Sequence, residues 1–100
     1  KDVVNAYLML AENLHRKEVV GEAFNFGTGK PISVLDLYNK IITMMDKDVK
    51  PKILGEAKNE IDKQYLDSQK AKKILNWEAK YDINSGLNET IDWYKTYFSK

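Results

Sequence analysis

Cysteine is absent from the 100 residues, histidine occurs once, as His15, and proline only twice. Without cysteine there is no disulfide framework, no thiol nucleophile and no thiolate metal site. A single histidine beside that absence leaves too few ligands for a transition-metal centre. Charge of one sign is lacking too. The 16 Lys+Arg stand against 15 Asp+Glu, a net +1, which gives no bulk electrostatic grip on nucleic acid or a membrane surface. No apolar run is long enough to span a bilayer, and Lys1-Asp2 leads straight into a helical pattern rather than a targeting segment. The expectation is one small cytoplasmic domain with 43% hydrophobic residues, burying roughly two-thirds of its unfolded surface.

Helical spacing is clear in several places. Val3, Tyr7, Leu10, Ala11 and Leu14 recur as one stripe of a helix over about 2–16, with Asp2 placed to cap it. The abrupt start suggests a piece of a longer chain, whereas Trp93, Tyr94, Tyr97 and Phe98, followed only by Ser99-Lys100, suggest a true end. Ser33 precedes a second helix, with Asp36 at its third position in a shortened capping box. Asp67 can cap a third helix ending at Leu75-Asn76. Asp82 can cap a fourth, whose Ile83, Leu87, Ile91, Tyr94 and Phe98 form an apolar face. Between these, Glu22–Phe26 alternates in polarity and predicts a short strand; 50–54 and 64–66 read as further brief strands. The fold class expected is α/β, a small mixed lobe of helices and short strands. The strands are too few for an independent doubly wound sheet.

Candidate chemistry is sparse. Gly27-Thr28-Gly29-Lys30 lacks the glycine and hydroxyl of a phosphate loop, because Phe24 and Pro31 stand there. Ile32 occupies the third glycine position of a dinucleotide fingerprint. A tight turn feeding a capped helix is the favoured reading. His15, near a helix end, reads as a surface group complementing the dipole. The dense lysines between 47 and 73 are interleaved with acids and read as a solvated surface. Tyr65, Trp77 and Tyr81 read as core. Lys58 and Glu60 fall in a polar loop, where ligand contacts often arise.

Four segments together resemble the C-terminal part of extended short-chain dehydrogenases/reductases acting on sugar nucleotides. Asp2–Ala6 resembles the family's "V-x-D" entry to a helix. Glu22–Gly29 resembles "[YF]-N-[IVLF]-G-x-G". Tyr65–Ala71 with Ile74–Trp77 is similar to "[YF]-x-D-x-x-K-A-x-x-x-L-G-W", with Asn76 at the usual glycine. Gly86-Leu87, Thr90-Ile91 and Trp93-Tyr94 resemble the closing helix. Within the family the likeness is greatest to nucleoside-diphosphate-sugar 4,6-dehydratases, those acting on CDP-glucose especially, with 4-epimerases next.

The resemblance implies that residues 1–100 are the substrate-binding part of an extended Rossmann-type enzyme. NAD or NADP and the catalytic Tyr-x-x-x-Lys pair would belong to an N-terminal Rossmann domain; no tyrosine here has lysine four residues on. The implied partners are a nucleoside-diphosphate sugar, that N-terminal domain and a second subunit in a homodimer, with neither nucleic acid nor membrane. Carried over by position, Lys58 stands nearest the place of a phosphate-binding cation and Glu60 nearest a ribose-binding carboxylate, while Asn25 lies in the matching strand. No catalytic, cofactor-binding or metal-binding residue is expected. The contrasting reading is a free-standing α/β module that binds a protein through an exposed apolar face.

Overall fold

Four helices make up the regular structure of residues 1–56 and 64–100, the part of the chain that the computed structural model describes. They are α1 (Asp2–Asn13), α2 (Val34–Met44), α3 (Gln69–Leu75) and α4 (Ile83–Phe98). The α/β expectation is corrected: among the described residues there is no strand, and the architecture is all-helical. A strand exists only as part of a hydrogen-bonded ladder, and 22–26, 50–54 and 64–66 form none. The alternation at 22–26 survives as burial alone. Phe24 and Phe26 are half-buried while Ala23 and Asn25 are exposed.

The chain divides into two units, 1–30 with 65–82 and 31–64 with 83–100. In the first, α1 and α3 pack together around Ala6, Val19, Ala71, Leu75 and Trp77, with Phe24 and Phe26 against the cluster. Phe26 meets Trp77 edge-on at 5.0 Å, the favourable arrangement of two ring quadrupoles. The Trp77 indole N–H donates to the Asp2 carbonyl at 3.3 Å. Of the three aromatics expected in the core, Trp77 is buried, Tyr81 half-buried and Tyr65 exposed.

Of the stripe on α1 only Leu10 is half-buried: the buried residue is Ala6, flanked by half-buried Met9, Leu10 and Asn13, whereas Val3, Tyr7, Ala11 and Leu14 are exposed. Apolar residues surround most of this helix, so periodicity could not say which side meets α3. The cap expected from Asp2 is corrected: its side chain makes no capping bond to its own helix. Its carboxylate accepts the backbone N–H groups of Lys80 and Tyr81 at 3.0–3.1 Å, tying the start of α1 to the stretch after α3.

The ends of α3 follow local chemistry. Asp67 Oδ1 accepts the Gln69 N–H at 2.9 Å, which leaves Ser68, the residue between, free to turn its hydroxyl elsewhere. At the other end Asn76 takes the left-handed conformation, φ 57°, as a helix-terminating Asn or Gly does. Arg16 donates to the Ile74 carbonyl at 2.8 Å, satisfying one of the acceptors a helix end leaves over.

In the second unit Ser33 caps α2 as expected, its hydroxyl accepting the Asp36 N–H at 3.0 Å. The helix stops in a Schellman motif, with Asp46 at φ 53° and bonds from Asp46 N–H to Thr43 and from Lys47 N–H to Ile42. The Tyr38 hydroxyl donates to the Val49 carbonyl. Lys40 on α2 donates to Asn84 on α4 at 3.2 Å. The face expected on α4 is buried at Ile91 and half-buried at Leu87, but Ile83, Tyr94 and Phe98 are exposed. Trp93 stacks on Tyr97 at 5.1 Å and Tyr94 on Phe98 at 6.0 Å, so the exposed rings pack against one another.

Candidate functional site

Asn25 is exposed at the middle of a segment that is fixed at both ends. At the far end, Gly27 lies so close to Leu66 that a Cβ there would stand 3.2 Å from the Leu66 Cβ. The Ser68 hydroxyl donates to the Gly27 carbonyl at 2.9 Å. At the near end, the Lys70 ammonium donates to Glu22 Oε2 at 2.7 Å and to the Ala23 carbonyl at 2.9 Å. It also stands 4.9 Å from the Phe24 ring centroid, within cation–π range. The Lys70 hydrogen bond, then its charge, holds the Glu22 carboxyl below the ordinary carboxylate range. Phe24 and Phe26 turn toward the apolar cluster, leaving Asn25 as the polar side chain offered between them.

Of the three residues singled out from the sequence, the structure places Asn25. Lys58 and Glu60 lie outside the described residues. The segment they precede in the sequence, Tyr65–Ser68, is the one that runs beside Gly27. Tyr65 and Leu66 are both exposed there.

Sequence reasoning missed Ser68 and Lys70. Interleaved charge makes Lys70 read as a solvated surface residue, yet the "K-A" step of the motif carries the signal, since Ala71 is fully buried. A lysine that precedes a buried helical alanine sits at the edge of the packed face, within reach of a neighbouring segment.

The Gly27–Lys30 turn does not fit a dinucleotide pyrophosphate. Gly29 has φ 70°, but the Lys30 N–H is already donated to Thr28 Oγ1 at 3.3 Å. Helix α2 starts only at Val34, with the Asp36 carboxylate in its first turn, the sign that repels a phosphate. His15 is exposed. No group of three or more His, Asp or Glu gathers at metal-binding distance among the described residues.

Sequence comparison gives these segments a context. The chain is 36% identical over 75 residues to a UDP-glucuronate 4-epimerase of Thermodesulfobacterium geofontis, covering 74% of this chain and 23% of that protein. It is 26% identical over 92 residues to UDP-glucose 4-epimerase GEPI48 of Cyamopsis tetragonoloba, covering 92% of this chain and 26% of that protein. It is also 32% identical over 96 residues to the trifunctional UDP-glucose 4,6-dehydratase/UDP-4-keto-6-deoxy-D-glucose 3,5-epimerase/UDP-4-keto-L-rhamnose-reductase RHM2 of Arabidopsis thaliana, covering 94% of this chain and 14% of that protein. The chain thus spans about a quarter or less of the length of these relatives. No family model and no solved structure matches it. The similarity lies with sugar-nucleotide epimerases and dehydratases, over their C-terminal part, and supports that family without singling out the CDP-glucose 4,6-dehydratases.

Proposed function

We propose that this chain is the sugar-nucleotide-binding C-terminal portion of an NAD-dependent UDP-sugar 4-epimerase or 4,6-dehydratase, inert until joined to an N-terminal Rossmann domain. The observation that carries the reading is the match over 92–96 residues to both kinds of enzyme. Inverting C4 and removing water across a sugar whose C4 becomes a ketone share one requirement. Hydride must leave C4, because an unactivated carbinol C–H is not acidic. A bound nicotinamide supplies that chemistry by accepting the hydride. In this chain no tyrosine is placed four residues before a lysine, so its contribution is to hold and orient the sugar nucleotide.

Asn25 offers an amide to a hydroxyl or base edge, while Lys58 and Glu60 offer a cation to the diphosphate and a carboxylate to a ribose diol. Lysine here gives a point charge rather than a bidentate fork, so the diphosphate grip relies on charge more than on geometry. The reading extends to the homodimer expected of the intact enzyme.

Titration of the isotopically labelled chain with UDP-glucose, UDP-galactose, UDP-glucuronate and CDP-glucose tests the binding part by NMR. Shifts at Asn25 and through 58–66, strongest with a UDP sugar, are expected. Shifts with none of the four would overturn it. Joined to its Rossmann domain, the protein then declares its reaction by product: a 4-epimer or a 4-keto-6-deoxy sugar.

A further inference from the structure

Asn25 is exposed. Among the described residues its side chain makes no hydrogen bond, and no backbone–backbone hydrogen bond involves 23–27. Phe24 and Phe26 pack against the apolar cluster, but burial of that kind is non-directional. It settles which side of the stretch is covered, not how each peptide plane is turned. Two directional contacts fall symmetrically about Asn25. The Lys70 ammonium donates to the carbonyl of Ala23, two residues before it, at 2.9 Å. The Ser68 hydroxyl donates to the carbonyl of Gly27, two residues after it, also at 2.9 Å. Lys70 is itself held, by Glu22 at 2.7 Å and over the Phe24 ring at 4.9 Å. An exposed ion pair alone contributes little. Lys70 differs because one ammonium meets a carboxylate, a peptide carbonyl and a ring together.

Resting on the function proposed above, we infer that Lys70 and Ser68 are positioning residues of the nucleotide-sugar site. They fix the peptide groups on either side of Asn25 and so preset the direction in which its amide is offered. Neither touches the ligand in this role. Both belong to one stretch at the start of α3, and Leu66 of the same stretch stands beside Gly27, so the anchors fall at alternate positions 66, 68 and 70. A ligand group fixed before binding loses less conformational freedom on binding, and supporting bonds of this kind keep its geometry. Loss of either anchor therefore weakens binding through Asn25, without removing an atom that meets the sugar nucleotide.

The experiment titrates the natural chain, Lys70→Met, Ser68→Ala and Asn25→Ala with UDP-glucose by NMR, and repeats Lys70→Met in the Asn25→Ala background. Lys70→Met and Ser68→Ala should each weaken binding about fivefold, the worth of one hydrogen bond. In the Asn25→Ala background Lys70→Met should change the affinity little, because residues that act through one another are not additive. Lys70→Arg, which keeps donors for both the carboxylate and the carbonyl, should restore most of the loss. Asp2→Ala is the stability control: its bonds go to Lys80 and Tyr81, and it should leave the affinity unchanged. Nitrogen-15 relaxation supplies a measurement that needs no ligand. Order parameters at 24–26 should fall from about 0.85 toward about 0.6 in Lys70→Met and Ser68→Ala, with those of α3 unmoved. Binding that survives Lys70→Met and Ser68→Ala, or that Asn25→Ala leaves unaltered, would overturn this inference and spare the functional reading. So would losses that add in full to that of Asn25→Ala, or order parameters that stay rigid. A natural chain that binds no nucleotide sugar removes the functional reading, and this inference with it.

Discussion

Lys70 and Glu22, separated by 48 residues in sequence, form a 2.7 Å ion pair whose lysine also holds the Ala23 carbonyl at 2.9 Å. The pair joins α3 to one end of the segment that carries Asn25, whose other end is held by Ser68 at Gly27.

Acid should loosen this junction. Lys70 keeps the Glu22 carboxyl below its ordinary value of 4.5, so between the two values the unfolded chain binds more protons than the folded one. The contribution is complete above the unfolded value and is lost as pH falls through the folded one. Thermal melts from pH 7 to pH 3 should therefore show a steeper fall for the natural chain than for Glu22→Gln. Lys70→Met should abolish the difference between Glu and Gln at position 22. Parallel curves for the natural chain and Glu22→Gln would refute the assignment.

Asp2 is a tether between distant segments. Replacing it with Ala removes the acceptor of two backbone N–H groups and should cost about 1–2 kcal/mol in urea unfolding. Asp2→Asn keeps one acceptor oxygen and should fall between. If Asp2 merely ended its own helix, Asn and Asp would serve equally, as they do at an N-cap.

Asn76 sits at φ 57°. Glycine there should be neutral or slightly stabilising, while alanine should cost about 1 kcal/mol, since a Cβ is strained in that region. A stability series at this position in Gly, Asn, Ala order checks it.

Gly27 is constrained by space rather than by φ. A methyl group at 3.2 Å from the Leu66 Cβ must push the 65–68 segment away, and Ser68 resists through its bond to the Gly27 carbonyl. Gly27→Ala should lower stability by about 1 kcal/mol and weaken the response of Asn25 to nucleotide sugars. Gly29→Asn should leave both nearly unchanged, because Asn tolerates the left-handed region and the space beside Gly29 is open.

What the sequence made legible was short in range. The Ser33 cap needs only three residues of context, and the end of the third helix at Leu75-Asn76 only its own helix; both stand as expected. The strand at 22–26 was misread because alternation reports which side chains are covered, not whether a ladder exists. The stripe on α1 did not say which part is covered, because Ala6 and Leu10 border Val3, Val4, Tyr7 and Leu8 in one wide apolar arc. Asp2 looked like a cap because its partners lie 78 and 79 residues away. Of the candidate site, the motif steps Asn25–Gly27 and Ser68–Ala71 were readable as words. The bonds that join them, from Ser68 and Lys70, were not.

The two tryptophans fall one in each unit and in opposite surroundings, Trp77 at 3% exposure and Trp93 at 58%. Intrinsic fluorescence therefore carries two colours. Trp77 emits from an apolar, edge-contacted pocket at short wavelength, and Trp93 emits near the water-exposed limit. Melting the first unit alone shifts the blue component to the red and spares the other. Following the spectrum rather than a single wavelength then tells whether the halves of this chain come apart together or in turn.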